Sequence, residues 1–250
     1  MKPVTVVGTN ISNLRFDWGY TLNIKEFENT SALDIALADE VAMYLKQSID
    51  QQGSASLVVS GGRTPLGFFH TLSQQSLDWS KVVVTLADER WVEADHKDSN
   101  EKLVRENLLI NNANQAQFLA LKNTAETAGE GCAELEKALA NINEFSVVIL
   151  GMGDDGHTAS LFPGSTTLDT GLDMHSGLSC VAVTPLDAPH ERMSLTLPRL
   201  LNCNFLVVHI SGSNKQKVLQ QAQAGTSITE LPIRSILQQD ISPVTVYWAA

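Results

Sequence analysis

Short apolar runs alternate along the chain with longer segments in which apolar residues recur every three or four positions. The runs are rich in β-branched residues and apolar at consecutive positions, which is typical of strands that are covered on both faces of a mainly parallel sheet. We predict strands at 55–60, 82–87, 145–150, 180–184, 205–210 and 244–248.

The segments between these runs have the periodicity of amphipathic helices. We predict that Ser31 caps the first helix, with Asp34 in the manner of a capping box, or that Thr30 takes its place. Strands that alternate with helices indicate βαβ units, so we expect one α/β domain over residues 1–250, with a mainly parallel, doubly wound sheet flanked by helices. The stretch 164–177 is expected to be a surface loop. The helices are predicted at 31–52, 65–74, 99–110, 125–141, 214–223 and 232–238.

Composition narrows the classes of partner. The 250 residues carry a net charge of −11, which argues against nucleic acid or an anionic membrane as the main partner, so an anionic substrate has to be attracted by a few local cations. No apolar run approaches the ~20 residues of a membrane helix, and residues 1–10 lack the pattern of a secretory signal. We therefore expect a cytoplasmic protein. The cysteines have no metal-like spacing and are expected to be reduced, buried thiols: Cys132, Cys180 and Cys203.

Ligands of open parallel sheets bind beyond the carboxyl ends of the strands, so polar motifs at these points are candidate sites. The first is SGGRTP at 60–65, where Gly61 and Gly62 allow backbone N–H groups to approach an anion. Pro65 suits the first turn of a following helix. A plain strand-to-helix turn explains the motif equally well.

The second motif places Asp88, Glu89 and Arg90 directly after a strand. Three charges at such a point are unlikely to be buried without partners, so the motif is a candidate site. A surface salt bridge followed by a helix cap at Ser99 is the alternative.

The third motif is VVILGMGDDGHTASLFPG at 147–164. Its Asp155 and His157 form an Asp-x-His pair on a glycine loop, which can present an imidazole base with a carboxylate to orient it. A simple turn remains an alternative, as does a metal site that uses Asp154 as well. The metal site is disfavoured because no second His or Cys lies at ligand spacing.

Two cations complete the candidates. Arg192 lies in HERMSLTLP, and Lys215 follows a strand at the expected start of a helix, where a cation is poorly placed unless an anion is near. A solvated lysine is the alternative for Lys215. Together with the Gly61–Gly62 turn, the two residues would form the local positive pocket that an acidic chain needs for an anionic substrate.

The motifs SGGRTP, DERWVEADHKDSN, GMGDDGHTASLFPG, HERMSLTLP and SGSNK, in this order, resemble those of the 6-phosphogluconolactonases. The resemblance implies the fold shared with glucosamine-6-phosphate deaminase and ribose-5-phosphate isomerase. It implies that a sugar-phosphate lactone is hydrolysed without cofactor or metal, with His157 as catalytic base beside Asp155. The substrate phosphate would be held by Gly61, Gly62, Arg63, Thr64, Arg192 and Lys215. The pocket would be shaped by Asp88, Glu89, Arg90 and Asn100. The oligomeric state is open, with a monomer favoured.

The chain departs from the family pattern at Arg63, where the family often has Ser, and at Met193 and Ser194. We expect His157 to take a proton from water, which attacks the lactone carbonyl, while N–H groups of the glycine loops stabilise the oxyanion. Ser160 has no evident base partner, so no covalent nucleophile is expected. A deaminase is the alternative enzyme, but the related loop of that family carries a second carboxylate where this chain has Phe162. A non-catalytic sugar-phosphate sensor is a further alternative.

Overall fold

The computed structural model describes residues 10–15, 21–186 and 189–250. Residues 1–9, which make up most of the N-terminal segment predicted to carry no secretory signal, lie outside these ranges. The described strands are β1 (Asn10–Arg15), β2 (Thr21–Phe27), β3 (Ala55–Val59), β4 (Val82–Leu86), β5 (Asp88–Arg90), β6 (Gln117–Leu119), β7 (Phe145–Leu150), β8 (Cys180–Val183), β9 (Arg192–Leu195), β10 (Cys203–Ser211) and β11 (Val244–Ala249). The α-helices are α1 (Thr30–Gln52), α2 (Leu66–Ser73), α3 (Asn100–Asn107), α4 (Ala128–Leu139), α5 (Leu168–Leu172), α6 (Leu197–Leu201), α7 (Ser213–Ala224) and α8 (Arg234–Leu237).

The main sheet has the strand order β1-β2-β11-β10-β7-β3-β4-β6. All neighbouring strands are parallel except β1 and β2. Every residue of β3 and β7 is buried, as expected for central strands with helices on both faces. The predicted mainly parallel, doubly wound sheet flanked by helices is therefore confirmed.

The chain reverses its direction of progress across the sheet between β3 and β7. From β3 it proceeds outward to β4 and β6, and from β7 it proceeds the other way to β10 and β11. The loops that follow β3 and β7 therefore diverge and leave a crevice at the carboxyl edge of the sheet. This topological switch point is where open α/β sheets bind ligands.

A second sheet has the order β5-β9-β8 and is antiparallel. Two expectations are corrected here. The strand predicted at 180–184 is real but belongs to this small sheet and not to the parallel one. The segment Asp88–Arg90, which we expected to be a loop, is an edge strand, because Asp88 and Arg90 pair with β9.

Most predicted helix and strand positions agree with the structure to within a few residues. The cap of α1 is an exception: the side chain of Asn29, not Ser31 or Thr30, accepts a hydrogen bond from the N–H of Ala32 at 2.9 Å. The predicted surface loop 164–177 contains α5, whose Leu168 and Leu172 are buried.

The cysteines are free thiols. Cys180 and Cys203 are buried as expected, whereas Cys132 is only partly buried. No α-helix in the described ranges combines the length and apolar character that a membrane crossing requires.

Candidate active site

A cavity of about 250 Å³ lies at the carboxyl edge of the main sheet, at the switch point between β3 and β7. The loop after β3 and the loop after β7 form two of its walls, and the small sheet and the start of α7 contribute the others. Nine of the predicted site residues line it: Gly61, Gly62, Thr64, Asp88, Arg90, Asn100, His157, Arg192 and Lys215.

Three of the predicted site residues do not line this cavity. Asp155 lies behind the His157 ring, Glu89 is buried at the start of α3, and the side chain of Arg63 is exposed to solvent. Asp155 and Glu89 therefore act on the cavity through other residues. Arg63 has no such connection among the contacts of the described residues.

The imidazole of His157 is held by Asp155. Nδ1 of His157 lies 2.5 Å from Oδ1 of Asp155, and the same oxygen accepts the backbone N–H of His157 at 3.2 Å. Burial alone would raise the pKa of Asp155, but the hydrogen bond and charge of His157 outweigh it and lower that pKa. The ionised carboxylate favours the tautomer with the proton on Nδ1, which leaves Nε2 as the basic nitrogen.

The glycines of this loop make the arrangement possible. A Cβ at Gly153 would overlap both the His157 ring and the Asp155 carboxylate. Gly156 has φ = 75°, a left-handed conformation that glycine adopts without strain. Its carbonyl accepts the N–H of Ile233 at 2.8 Å, which ties the loop to the segment before α8.

The turn after β3 is packed against Asn100. Nδ2 of Asn100 donates to the carbonyl of Asp88 at 2.8 Å, and a Cβ at Gly61 would overlap the Asn100 amide. Oδ1 of Asn100 is buried and has no hydrogen-bond partner among the described residues. A buried acceptor in a cavity wall is available to a substrate hydroxyl group.

Glu89 fixes the start of α3. Its carboxylate accepts the backbone N–H groups of Asn100 and Glu101 at 2.8 and 2.7 Å, and the hydroxyl of Ser99 at 3.1 Å. Burial raises the pKa of Glu89 and these backbone hydrogen bonds oppose the rise. Ser99 caps the helix, as the alternative interpretation of this motif predicted, with its side chain accepting from the N–H of Lys102.

The two guanidinium groups of the cavity are carried by neighbouring strands. Arg90 of β5 and Arg192 of β9 are directly paired across the small sheet. Arg192 is 7% exposed, and burial, followed by the charge of Arg90, lowers its pKa. Two cations held together in a partly dry site are stabilised by a bound anion, and guanidinium groups suit phosphate oxygens.

Lys215 lies in the first turn of α7, which begins without a side-chain cap. Its Nζ lies 2.7 Å from Oδ1 of the exposed Asp154. Asp154 is therefore directed to the lysine. In the described part of the chain, Asp154, Asp155 and His157 do not form a group of potential metal ligands.

Ser160 does have an acidic partner, contrary to our expectation. Its hydroxyl donates to Oδ2 of Asp88 at 2.6 Å, and the residue is completely buried. This hydrogen bond holds Asp88 in the cavity wall. The lack of exposure keeps Ser160 from attacking a substrate.

Sequence reasoning did not predict that two aromatic residues line the cavity, although it used Phe162 to distinguish two enzymes. Phe162 packs on His157 with ring centroids 4.4 Å apart, and the guanidinium of Arg192 lies 5.9 Å from the same ring. His209 lines the cavity from the end of β10, where its only signal was a histidine inside an apolar strand. Its Nδ1 is buried and unpartnered within the described residues, and burial lowers its pKa to about 4.

The fold and site define an α/β protein with a crevice at a topological switch point, lined by a histidine and three cationic side chains. A family model described as "Glucosamine-6-phosphate isomerases/6-phosphogluconolactonase" matches residues 28–248. The chain belongs to this family. It is 45% identical over 228 residues to a 6-phosphogluconolactonase of Rhizobium meliloti, which covers 91% of this chain and 98% of the relative. It is 39% identical to the Pseudomonas putida 6-phosphogluconolactonase, and the match covers 96% of this chain and 98% of the relative.

Solved structures agree with this assignment. A 6-phosphogluconolactonase from Shewanella baltica superposes with a TM-score of 0.89 at 46% identity, covering 91% of this chain and 97% of that one. A monomeric glucosamine-6-phosphate deaminase of the NagB superfamily gives a TM-score of 0.75 at 16% identity, covering 90% and 96%, which shows the shared fold alone. The resemblance found in the sequence is confirmed.

Proposed function

We propose that the chain hydrolyses 6-phospho-D-glucono-1,5-lactone to 6-phospho-D-gluconate, a reaction of the oxidative pentose-phosphate pathway. The relatives that match nearly the whole chain are 6-phosphogluconolactonases, which are carboxylic ester hydrolases. The observation that carries the residue assignment is the His157–Asp155 pair on the wall of a cavity that also contains Arg90, Arg192 and Lys215.

His157 is the general base of this proposal. With Nδ1 directed to Asp155, Nε2 takes a proton from a water molecule as that water attacks C1 of the lactone. The tetrahedral intermediate then collapses, the bond from C1 to the ring oxygen breaks, and the imidazolium returns the proton to that oxygen. Asp155 orients the ring and favours its cationic form, as the acid of a catalytic triad does.

The substrate phosphate is assigned to Arg192, Lys215 and the Gly61–Thr64 turn. Arg192 and Lys215 face one cavity, and the turn directly precedes α2, whose N-terminus favours an anion. Arg90 adds positive charge beside Arg192, and Asp88 and Asn100 supply acceptors for sugar hydroxyl groups. Glu89 supports the proposed site as the anchor of α3, whereas the exposed side chain of Arg63 is assigned no contact with the phosphate.

Fewer glycine N–H groups are free to stabilise the oxyanion than the sequence predicted. The N–H of Gly151 donates to Oγ of Ser60 at 3.2 Å, and that of Gly153 donates to the carbonyl of His157 at 2.8 Å. Both N–H groups therefore already have acceptors within the protein. The Gly61–Gly62 turn keeps its assignment to the phosphate, and neither Gly151 nor Gly153 is the donor to the oxyanion at C1.

Phe162 favours the lactonase over the deaminase. It places an apolar ring against His157, at the loop position where the deaminase pattern has a second carboxylate. Ring opening and deamination need that additional acid or base, whereas lactone hydrolysis needs only one base. The retained His157–Asp155 pair argues against a sensor, because binding alone does not require it.

The test generates the lactone in situ and follows acid release by the wild type and by His157→Ala, with glucosamine 6-phosphate assayed in parallel. We expect hydrolysis by the wild type that persists in excess chelator and is lost in the variant. Unchanged activity in the variant would refute the role of His157. Release of ammonia would identify a deaminase, and binding without turnover would identify a sensor.

A monomeric state and a cytoplasmic location are parts of the same proposal. The net charge of −11 supports a monomer, because like charges on two copies repel. The same charge argues against a nucleic acid or a membrane as the main partner, which supports a cytoplasmic location. Light scattering coupled to size exclusion measures the first, and fractionation of the source cells measures the second.

A further inference from the structure

A cluster of potential metal ligands lies outside the residues that the proposed reaction uses. It consists of His96 and Asp98, from the loop before α3, and His190, from the segment before β9. The ligand atoms of these three side chains lie within 4.8 Å of one another. Residues 96 and 190 are far apart in sequence, so the fold brings the cluster together.

The distances are close to those of a metal site. Nε2 of His190 lies 3.3 Å from Oδ2 of Asp98, and Nδ1 of His96 lies 3.8 Å from the same oxygen. Two ligands bound to one tetrahedral zinc at 2.0–2.1 Å are about 3.3 Å apart. Small side-chain rotations therefore suffice to place all three around one ion.

The cluster is accessible to a cation. Nδ1 of His96 accepts the backbone N–H of Asp98 at 3.1 Å, so an ion that binds this nitrogen has to displace that hydrogen bond. The two imidazole rings are edge-on, with centroids 5.4 Å apart. Their side chains and that of Asp98 are between 29% and 40% exposed, which gives an ion access from solvent and leaves space for a water ligand.

The backbone of His190 is held in an uncommon conformation. Its φ is 71°, in the left-handed region, which costs a non-glycine residue free energy. Such strain persists where the surrounding structure holds it, and it is concentrated at functional positions. Here it accompanies the placement of Nε2 beside the Asp98 carboxylate.

We propose that His96, Asp98 and His190 form a binding site for a divalent transition metal of the zinc class, with three protein ligands and water. Two imidazoles and a carboxylate match the ligand preference of Zn²⁺. The site is distinct from Asp154, Asp155 and His157.

The site is connected to the cavity through the main chain. The carbonyl of Asp98 accepts Nη1 of Arg90 at 2.6 Å, and the carbonyl of Pro189 accepts Nη2 of Arg192 at 3.4 Å. An ion that joins Asp98 to His190 therefore joins the two segments that orient the cavity guanidinium groups. This consequence, unlike metal binding itself, rests on the proposed function: occupancy changes KM for the lactone more than kcat.

Calorimetric titration of the chelator-treated full chain with Zn²⁺ tests the site. We expect one site per chain, with affinity lowered roughly tenfold or more in Asp98→Asn and in His190→Asn, since even indirect partners of a metal ligand contribute about that much. Asparagine at 190 tolerates the left-handed backbone, and Asp98→Asn keeps the carbonyl that holds Arg90. His175→Asn is the matched control, because His175 is an exposed histidine outside the cluster.

Two calorimetric outcomes overturn the metal site. One is wild-type affinity no greater than that of Asp98→Asn, and the other is an equal loss of affinity in His175→Asn. Co²⁺ substitution gives an independent readout: visible bands without a thiolate charge-transfer band support the cluster, whereas such a band assigns the ion to a cysteine and refutes it. None of these measurements depends on lactonase activity. An unchanged KM in saturating Zn²⁺ overturns only the connection to the cavity.

Discussion

The Nδ1 atom of His157 lies 2.5 Å from Oδ1 of Asp155, while Asp155 itself does not line the cavity. The histidine thus faces the cavity, whereas the aspartate contacts the histidine from outside the cavity wall. This separation assigns different kinetic consequences to the two residues.

Replacing Asp155 by asparagine is expected to lower kcat and to leave KM nearly unchanged. The amide does not stabilise the imidazolium and permits the wrong tautomer, so we expect a loss of roughly 10²–10⁴-fold. Lactone hydrolysis by Asp155→Asn, measured over a range of substrate concentrations, checks this. Asp169→Asn, at an exposed carboxylate on α5, is the control. A rise in KM with unchanged kcat would contradict the assignment.

Much of this site was predictable because its loops follow long, fully buried strands. The runs at 55–59 and 145–150 are buried throughout and apolar at every position but one, so their ends, and the glycine motifs after them, are visible in the sequence. The reversal between β3 and β7 then brings the two loops together. Local pattern and topology agree at this edge of the sheet.

The small sheet was not predictable in the same way. Its strands β5 and β9 have only three and four residues, too few to show a period, and they are charged where they face the cavity. The pairing of Arg90 with Arg192 joins residues about one hundred positions apart. Such a contact depends on tertiary structure. The same holds for the contact between His209 of the cavity wall and Asp34.

Replacing Arg192 by alanine is expected to raise KM roughly 10- to 100-fold, because a charged hydrogen bond to phosphate is worth about 1.5–3 kcal/mol. The product 6-phosphogluconate should raise the Tm of the wild type and not that of the variant. Arg63→Ala provides the comparison, since its exposed side chain lies outside the cavity wall. An equal rise in KM for both variants would refute the distinction between these arginines.

Replacing Gly61 by alanine is expected to lower both activity and stability. The new Cβ overlaps the Asn100 amide, so Asn100 must move and give up its hydrogen bond to the Asp88 carbonyl. Overpacking of this kind costs about 1–3 kcal/mol. Gly129→Ala, at an open position of α4, should instead stabilise by about 0.5–1 kcal/mol. Urea unfolding of both variants measures the difference, and a neutral Gly61→Ala would contradict the packing at the turn.

His209 of the cavity wall pairs with Asp34, and the two residues have opposite effects on pH-dependent stability. Nε2 of His209 lies 3.9 Å from Oδ1 of Asp34. Burial raises the pKa of Asp34 to about 6, against a weaker opposing effect of a backbone hydrogen bond from Phe68. Burial lowers the pKa of His209 to about 4. Both groups are therefore neutral in the folded protein between about pH 4 and 6.

The signs follow from proton binding. Between about pH 4 and 6.5 the unfolded chain binds more protons at His209, so this residue makes the free energy of unfolding rise with pH. Between about pH 3.8 and 6 the folded chain binds more protons at Asp34 than the unfolded chain does. Asp34 therefore makes the free energy of unfolding fall as the pH rises. Each effect amounts to at most about 3 kcal/mol, and in the wild type the two nearly cancel.

Removing either partner should therefore expose the effect of the other. In Asp34→Asn we expect the free energy of unfolding to rise between pH 4 and 6 relative to the wild type, and in His209→Gln we expect it to fall. Urea unfolding at a series of pH values measures both slopes. Asp39→Asn, an exposed carboxylate further along α1, should keep the wild-type slope. Slopes of the same sign in the two variants would contradict the opposite effects of burial on the pKa values of Asp34 and His209.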